Sequence, residues 1–336
     1  MKKLKVSKVV FTLIIAYLAL APLLPVAGIK NIGLQQSVAV GLLYGALALT
    51  YDLLFGFTGL LSFGHALFFA SGMYFTAFFM NTMELHLFIA TPLAIGCTWI
   101  LATLIGAASL RTKGITFAMV TLAFGEAGYV MINRTLNTWT GGVNGLPMNA
   151  SKTPEYLLGV LNTKFLYWLA LAVLALVYLI VWWVTESSAG RVFAALRDNE
   201  TRVNVLGLNP NKFKLFSFVI AATLAALVGA AMLVVGGSAS PIYATGDATI
   251  AILLMVIIGG AISRWGAVIG GLLYSLASTR LQDLSANTAF DSLPHWIKGP
   301  IGEPTLILGI IFILIVMYSP GGISGAYYRI RARLTS

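Results

Sequence analysis

Apolar runs of about twenty residues recur along the whole chain, broken only by short polar or glycine-rich stretches, and they leave its backbone little choice. Inside a bilayer no water is at hand for peptide N–H and C=O groups, so a run of this length is viable only as a helix that satisfies its own backbone. Ten such runs can be read: 9–27, 37–55, 60–80, 87–109, 115–133, 164–185, 215–237, 248–263, 265–282 and 304–320. The expected fold is all-α and integral to the membrane, with about ten transmembrane helices in one domain over 1–336. Composition agrees: only 10% of residues are charged and the mean hydropathy is +0.90, whereas soluble domains carry about a quarter charged residues.

The charges are unevenly placed. The net charge is +10, but no soluble domain is left to present it to nucleic acid, and multi-pass proteins gather Lys and Arg in their cytoplasmic loops. With the N-terminus inside and sides alternating, fifteen cations fall inside: Lys2, Lys3, Lys5, Lys8, Arg111, Lys113, five between 186 and 214, Arg264, Arg329, Arg331 and Arg333. Six fall outside: Lys30, Arg134, Lys152, Lys164, Arg280 and Lys298. That bias favours both termini in the cytoplasm. The run at 9–27 exceeds the roughly 7–15 residues of a signal-peptide core, so it reads as an uncleaved first span.

Three segments stand apart from the spans. The first, Gly56-Phe57-Thr58-Gly59, leaves almost no loop between two runs, and a break at that depth has to be buried in protein or line a cavity. A similar glycine-rich break at 259–271 raises the prospect of an internal repeat with a pathway between its halves; close helix packing on small residues accounts for it equally well. The second, 134–163, is the longest external loop and contains the turn-rich Thr140-Gly141-Gly142-Val143-Asn144-Gly145. The third, 186–214, is a polar island holding Arg191, Arg197, Arg202, Lys212 and Lys214. It predicts one amphipathic helix from about Gly190, with Val192, Ala195 and Leu196 on one face, and a second, shorter helix after Asp198 that ends at Gly207. With Phe193 and Leu196 exposed, such a helix fits a groove in a partner; lying flat on anionic lipid is the competing reading.

Chemistry-bearing groups are few. Cys97 lies in an apolar run, and three histidines match no zinc spacing. Gly-x-Ser-x-Gly, His-Glu-x-x-His and the phosphate-binding Gly-x-x-x-x-Gly-Lys-Ser/Thr are all missing from the sequence. The expectation is therefore a transport subunit that binds no cofactor and is not itself an enzyme; if ATP drives it, another polypeptide hydrolyses the ATP. Asp52, His65 and Glu126 lie in or beside spans, where ionisable groups are costly and so are functional candidates. Each also has a plainer reading: Asp52 caps a neighbouring helix, His65 is a neutral hydrogen-bonded core histidine, and Glu126 is a packed helix residue. An ion-coupled transporter using Asp52 and Glu126 is the rival class.

Six patches then resemble one family, in order and with similar spacing over about 37–320. They are Phe57 to Ala66, Thr121 to Glu126, Thr140 to Gly145, Gly190 to Glu200 with Leu206 to Phe218, Ile252 to Gly260, and Trp265 to Gly271. The chain resembles branched-chain amino acid ABC importer permeases, specifically the M-type subunit; urea and amide importers share this permease type. The resemblance implies a homologous H-type permease as partner, two cytoplasmic ATPases, an extracytoplasmic substrate-binding protein, and a place in the bacterial or archaeal inner membrane. It implies that the island is a coupling helix docked in an ATPase through Gly190, Arg191, Phe193, Leu196, Arg197, Asp198 and Glu200. The pathway candidates are Asp52, His65, Glu126, Thr140, Gly141, Gly142 and Asn144. Against the pattern that the resemblance implies, two positions stand out: Asp52, where a neutral residue, often Asn, is expected, and Ala261-Ile262-Ser263-Arg264, where a more glycine-rich turn is expected.

Overall fold

A computed structural model describes residues 32–159, 162–285, 304–318 and 321–335. The expected first span at 9–27 and its lysines lie outside the described residues. The remaining runs are helices: α1 (Ile32–Asp52), α2 (His65–Thr82), α3 (Leu87–Ser109), α4 (Ile115–Val130), α5 (Thr163–Glu186), α8 (Pro210–Gly236), α9 (Gly246–Gly259), α10 (Arg264–Ser285) and α11 (Pro304–Tyr318). Between α5 and α8 lie α6 (Ser188–Asp198) and α7 (Glu200–Val205), and α12 (Gly322–Thr335) closes the chain. Among the described residues, five helical stretches are long and apolar enough to cross a membrane: 33–57, 87–109, 115–135, 163–186 and 210–236.

Helices α1 and α8 form the centre. Each is apolar all round and is buried along most of its length, whereas α3 and α4 keep most of their surface outward. The first packs against α5, α8, α9 and α10, the second against α1, α2 and α3. Small residues set the spacing. A methyl on Gly72 of α2 would run into the carbonyl oxygen of Ala226, and one on Gly229 of α8 into that of Phe69, so the two helices meet almost backbone to backbone. The glycines of α10 do the same work: Gly270 faces the Met255 carbonyl of α9, and Gly271 faces Gly45 of α1. Close packing thus accounts for these glycines of the second break without a repeat.

The break after α1 is wound as a π-turn over Leu53–Phe57 and then unwinds until His65. Protein groups satisfy it, as a break at that depth requires. The Tyr51 hydroxyl donates to the Ser62 carbonyl at 3.0 Å, Thr121 Oγ1 accepts from Phe63 N at 3.1 Å, and the Thr58 and Ser217 hydroxyls bond at 2.6 Å. At the other end of the bundle, residues 134–159 of the external loop are folded into short helical turns and one strand pair. Its Leu146–Pro147 pairs antiparallel with Ser238–Ala239, the strand-like continuation of α8.

Candidate functional site

The island folds as the sequence signals direct, two helices with their own caps. Ser187 Oγ accepts from Gly190 N, and Asn199 Oδ1 accepts from Arg202 N at 3.1 Å. Gly207, at φ +80°, ends the second. A side chain at Gly190 would strike the Thr185 carbonyl, so α6 folds back sharply under the end of α5.

The buried face of α6 differs from expectation. It is Gly190, Phe193 and Leu196, while Ala195 is exposed and Val192 half-buried. Phe193 is fully enclosed and lies 6.3 Å, ring to ring, from Phe216 at the base of α8; Leu196 is only 5% exposed. These two side chains are therefore not offered to a partner: the aromatic surface at the start of α8 takes the larger side chain and rotates the helix by one residue. Glu200 is likewise engaged within the chain. Lys214 Nζ donates to its Oε2 at 2.7 Å, and Lys113 lies 3.7 Å from Oε1. Partial burial works against ionisation here, but the Lys214 hydrogen bond and the two lysine charges outweigh it and hold this carboxyl below the usual glutamate range. Arg197 reaches inward to the Gly56 carbonyl at 3.1 Å and sideways to Asp198 at 3.3 Å. Arg191 and Asp198 remain exposed.

What the island does present outward is apolar. Val205 and Leu206 are 82% and 76% exposed, followed by the exposed Leu208. This knuckle was missed by the sequence reading, although Val205-Leu206-Gly207-Leu208 is an apolar run in a polar loop, a signal that was there to be used.

The intramembrane candidates occupy separate places. Asp52 is fully buried at the end of α1 and accepts from Ile262 N at 2.9 Å, in the turn between α9 and α10. His65 is buried, with Nε2 2.9 Å from Thr50 Oγ1 and the Tyr51 ring against its edge. Glu126 is exposed in the middle of the 115–135 helical stretch, and its Oε1 accepts from Gly246 N at 3.0 Å at the start of α9. Thr140 is buried and bonds the Ile132 carbonyl at 2.6 Å. Gly141 and Gly142 have φ of +75° and +55°, and a side chain on Gly141 would strike the Gly145 carbonyl. Asn144 faces outward beside the exposed Val143. Asp52 and Arg197 thus meet around Gly56, whereas Glu126 and the 140–144 turn lie elsewhere. No group of three or more metal-ligating side chains occurs among the described residues.

A bundle of this kind, with apolar helices around two buried central ones and an amphipathic two-helix elbow folded onto one end, defines a multi-pass membrane protein. A model of the branched-chain amino acid transport system permease component matches residues 33–318. The chain belongs to that family, whose members are transport permeases rather than enzymes. It is 25% identical over 304 residues to the high-affinity branched-chain amino acid transport system permease protein LivM of Salmonella typhimurium, covering 84% of this chain and 68% of that one. The LivM protein of Escherichia coli is 24% identical over 316 residues, 87% of this chain and 70% of the relative. A probable LivM from Methanocaldococcus jannaschii is 26% identical over 311 residues, covering 88% and 86%.

Proposed function

We propose that this chain is one of two homologous permease subunits of an ATP-driven importer for branched-chain and related hydrophobic amino acids. It acts in the inner membrane with ten spans and both termini in the cytoplasm. Two cytoplasmic ATPases and an external binding protein complete the assembly. The observation that carries the reading is the 188–205 elbow: a rigid pair of helices, fastened to its own bundle through Phe193, Leu196, Arg197 and Glu200, with the apolar Val205-Leu206 knuckle left uncovered. Such a knuckle suits a groove in a soluble partner, and its rigid mounting suits the transmission of force. Closure of the ATPase pair then moves the elbow, and the pathway opens alternately to each side. Glu126 supports the placing of that pathway. A carboxylate exposed in mid-span cannot face lipid, so this face of α4 meets the second permease or water.

The test is reconstitution. Vesicles carrying both permeases and both ATPases, supplied with the binding protein, should accumulate leucine only when ATP is present. Accumulation by the purified chain alone on an ion gradient refutes the proposal. Orientation is checked separately: a reporter active only in the cytoplasm should work when fused after Lys214 and stay silent after Ala150. An active reporter at Ala150 overturns the ten-span scheme.

A further inference from the structure

The end of α5 from which α6 folds back and the C-terminal end of α6 are both fastened, and both fastenings lead to the junction of α9 and α10. Beside the N-terminus of α6, Arg264 donates to Glu186 Oε1 at 2.9 Å and to Thr185 Oγ1 at 3.1 Å, immediately before the Ser187 cap. At its C-terminal end Arg197 donates to the Gly56 carbonyl. Its stem lies flat on the break, since a methyl on Gly59 would come within 2.9 Å of Arg197 Cγ. Gly56 in turn presses on Asp52, whose carboxylate a side chain at Gly56 would strike. Asp52 then accepts from Ile262 N. Ile262 lies in the short turn between α9 and α10, and Arg264 is the first residue of α10, so the elbow holds the two sides of that junction along two separate lines.

The turn is held against its own preference. Ile262 sits at φ +69°, a left-handed conformation that a β-branched side chain adopts only when its surroundings impose it. Asp52 is fully buried, and its Oδ2 has no hydrogen-bond partner among the described residues. A buried carboxylate used on one side only is costly to the fold. The bond to Ile262 N spans 210 residues and joins the end of α1, where the first break begins, to the second break.

We infer that Asp52 and Arg197 are positioning residues forming a latch that delivers movement of the elbow to the strained 260–264 turn, and through it to α9 and α10 at the cytoplasmic end of the pathway. The inference rests on the importer reading above. In this latch the turn is the switching element: left-handed with the Asp52 bond made, as in the structure, and relaxing when the bond is broken.

The experiment measures ATP hydrolysed per leucine delivered by the complete importer in vesicles. Asp52→Ala and Arg197→Gln should hydrolyse ATP within about twofold of wild type yet deliver tenfold less leucine. Asp52→Asn keeps an Oδ1 acceptor for Ile262 N and should deliver within about twofold of wild type. A merely structural defect would lower yield, hydrolysis and delivery together. Ile262→Gly covers the case in which Asp52→Ala fails to assemble, because glycine takes φ +69° without strain at this half-exposed site. That variant should assemble normally and use several times more ATP per leucine. Wild-type stoichiometry in Ile262→Gly, or an Asp52→Asn protein as uncoupled as Asp52→Ala, overturns the latch while leaving the importer reading intact. A wild-type complex that is idle with ATP removes the importer reading and the latch with it.

Discussion

Two leucines ten residues apart in the elbow separate folding from docking. Leu196 is 5% exposed and Leu206 is 76% exposed. Replacing Leu196 by Asp removes about 1.5–3 kcal/mol of apolar burial. It also leaves a carboxylate unpaired against α6's own bundle, which adds several kcal/mol more unless the group takes up a proton. The permease should therefore be recovered in low yield, with its elbow loosened whether or not an ATPase is present. Leu206→Asp adds a charge where water already reaches, so the isolated permease should change by no more than about 0.5 kcal/mol. With the knuckle as the proposed ATPase contact, the same side chain becomes a desolvated charge in that contact, where truncation of a hot spot costs about 2 kcal/mol or more. At about 1.4 kcal/mol per tenfold, that weakens ATPase binding at least about thirtyfold.

The assay pairs detergent melting of the permease alone with co-purification of the ATPases on a tagged permease. Leu206→Asp should melt like wild type and lose the ATPases; Leu196→Asp should melt early. Full ATPase retention by Leu206→Asp would show that the knuckle is not the docking surface. A normal melt for Leu196→Asp would show that α6 is not fastened as described.

Three further outcomes are expected. Gly72→Ala forces a methyl into the Ala226 carbonyl, an overpacking cost of about 1–3 kcal/mol, so melting should fall by several degrees; an unchanged melt would mean that α2 and α8 are not in backbone contact. The Glu200 carboxyl, held below its free range by Lys214 and Lys113, contributes its stability at neutral pH and loses it as the pH falls through the folded carboxyl's own pKa. Amide exchange over 200–206 should therefore quicken on acidification, and Glu200→Gln should show the quick exchange already at neutral pH; equal exchange in both proteins refutes the ion pair. Glu126→Gln keeps a carbonyl acceptor for Gly246 N but removes the charge. It should assemble and bind ATPases normally while delivering less leucine, and undiminished delivery would take Glu126 out of the pathway.

The spans were legible because their signal is long and local. A run such as 215–237 declares a helix without reference to any partner, and α8 duly occupies Pro210–Gly236. The end of the elbow at Gly207 was legible for the same reason, because a glycine stop acts locally; of the expected first-turn pair Asn199-Glu200, Asn199 is instead a cap, its Oδ1 accepting from Arg202 N. The buried face of α6 was not legible. Gly190, Phe193 and Leu196 differ from Val192, Ala195 and Leu196 by a turn of one residue, and the choice between them rests on packing against residues outside the helix, Phe216 among them. Glu200 misled similarly, since an acid in the first turn of an exposed helix looks free until Lys214 is brought beside it.

Asp52 shows the limit more sharply. Its sequence context offered a plain helix cap or a transport site, and nothing local could name Ile262 as the group it holds. Yet both residues had already stood out, one as an acid where a neutral residue was expected, the other in a turn short of glycine. An isoleucine at φ +69° needs an acceptor to fix its N–H, and a buried carboxylate needs a donor. Each irregularity is costly alone, and together they answer one another. The hydrogen bond that answers both needs spans 210 residues, beyond the reach of any local signal, and it ties the end of α1 to the turn on which α10 begins.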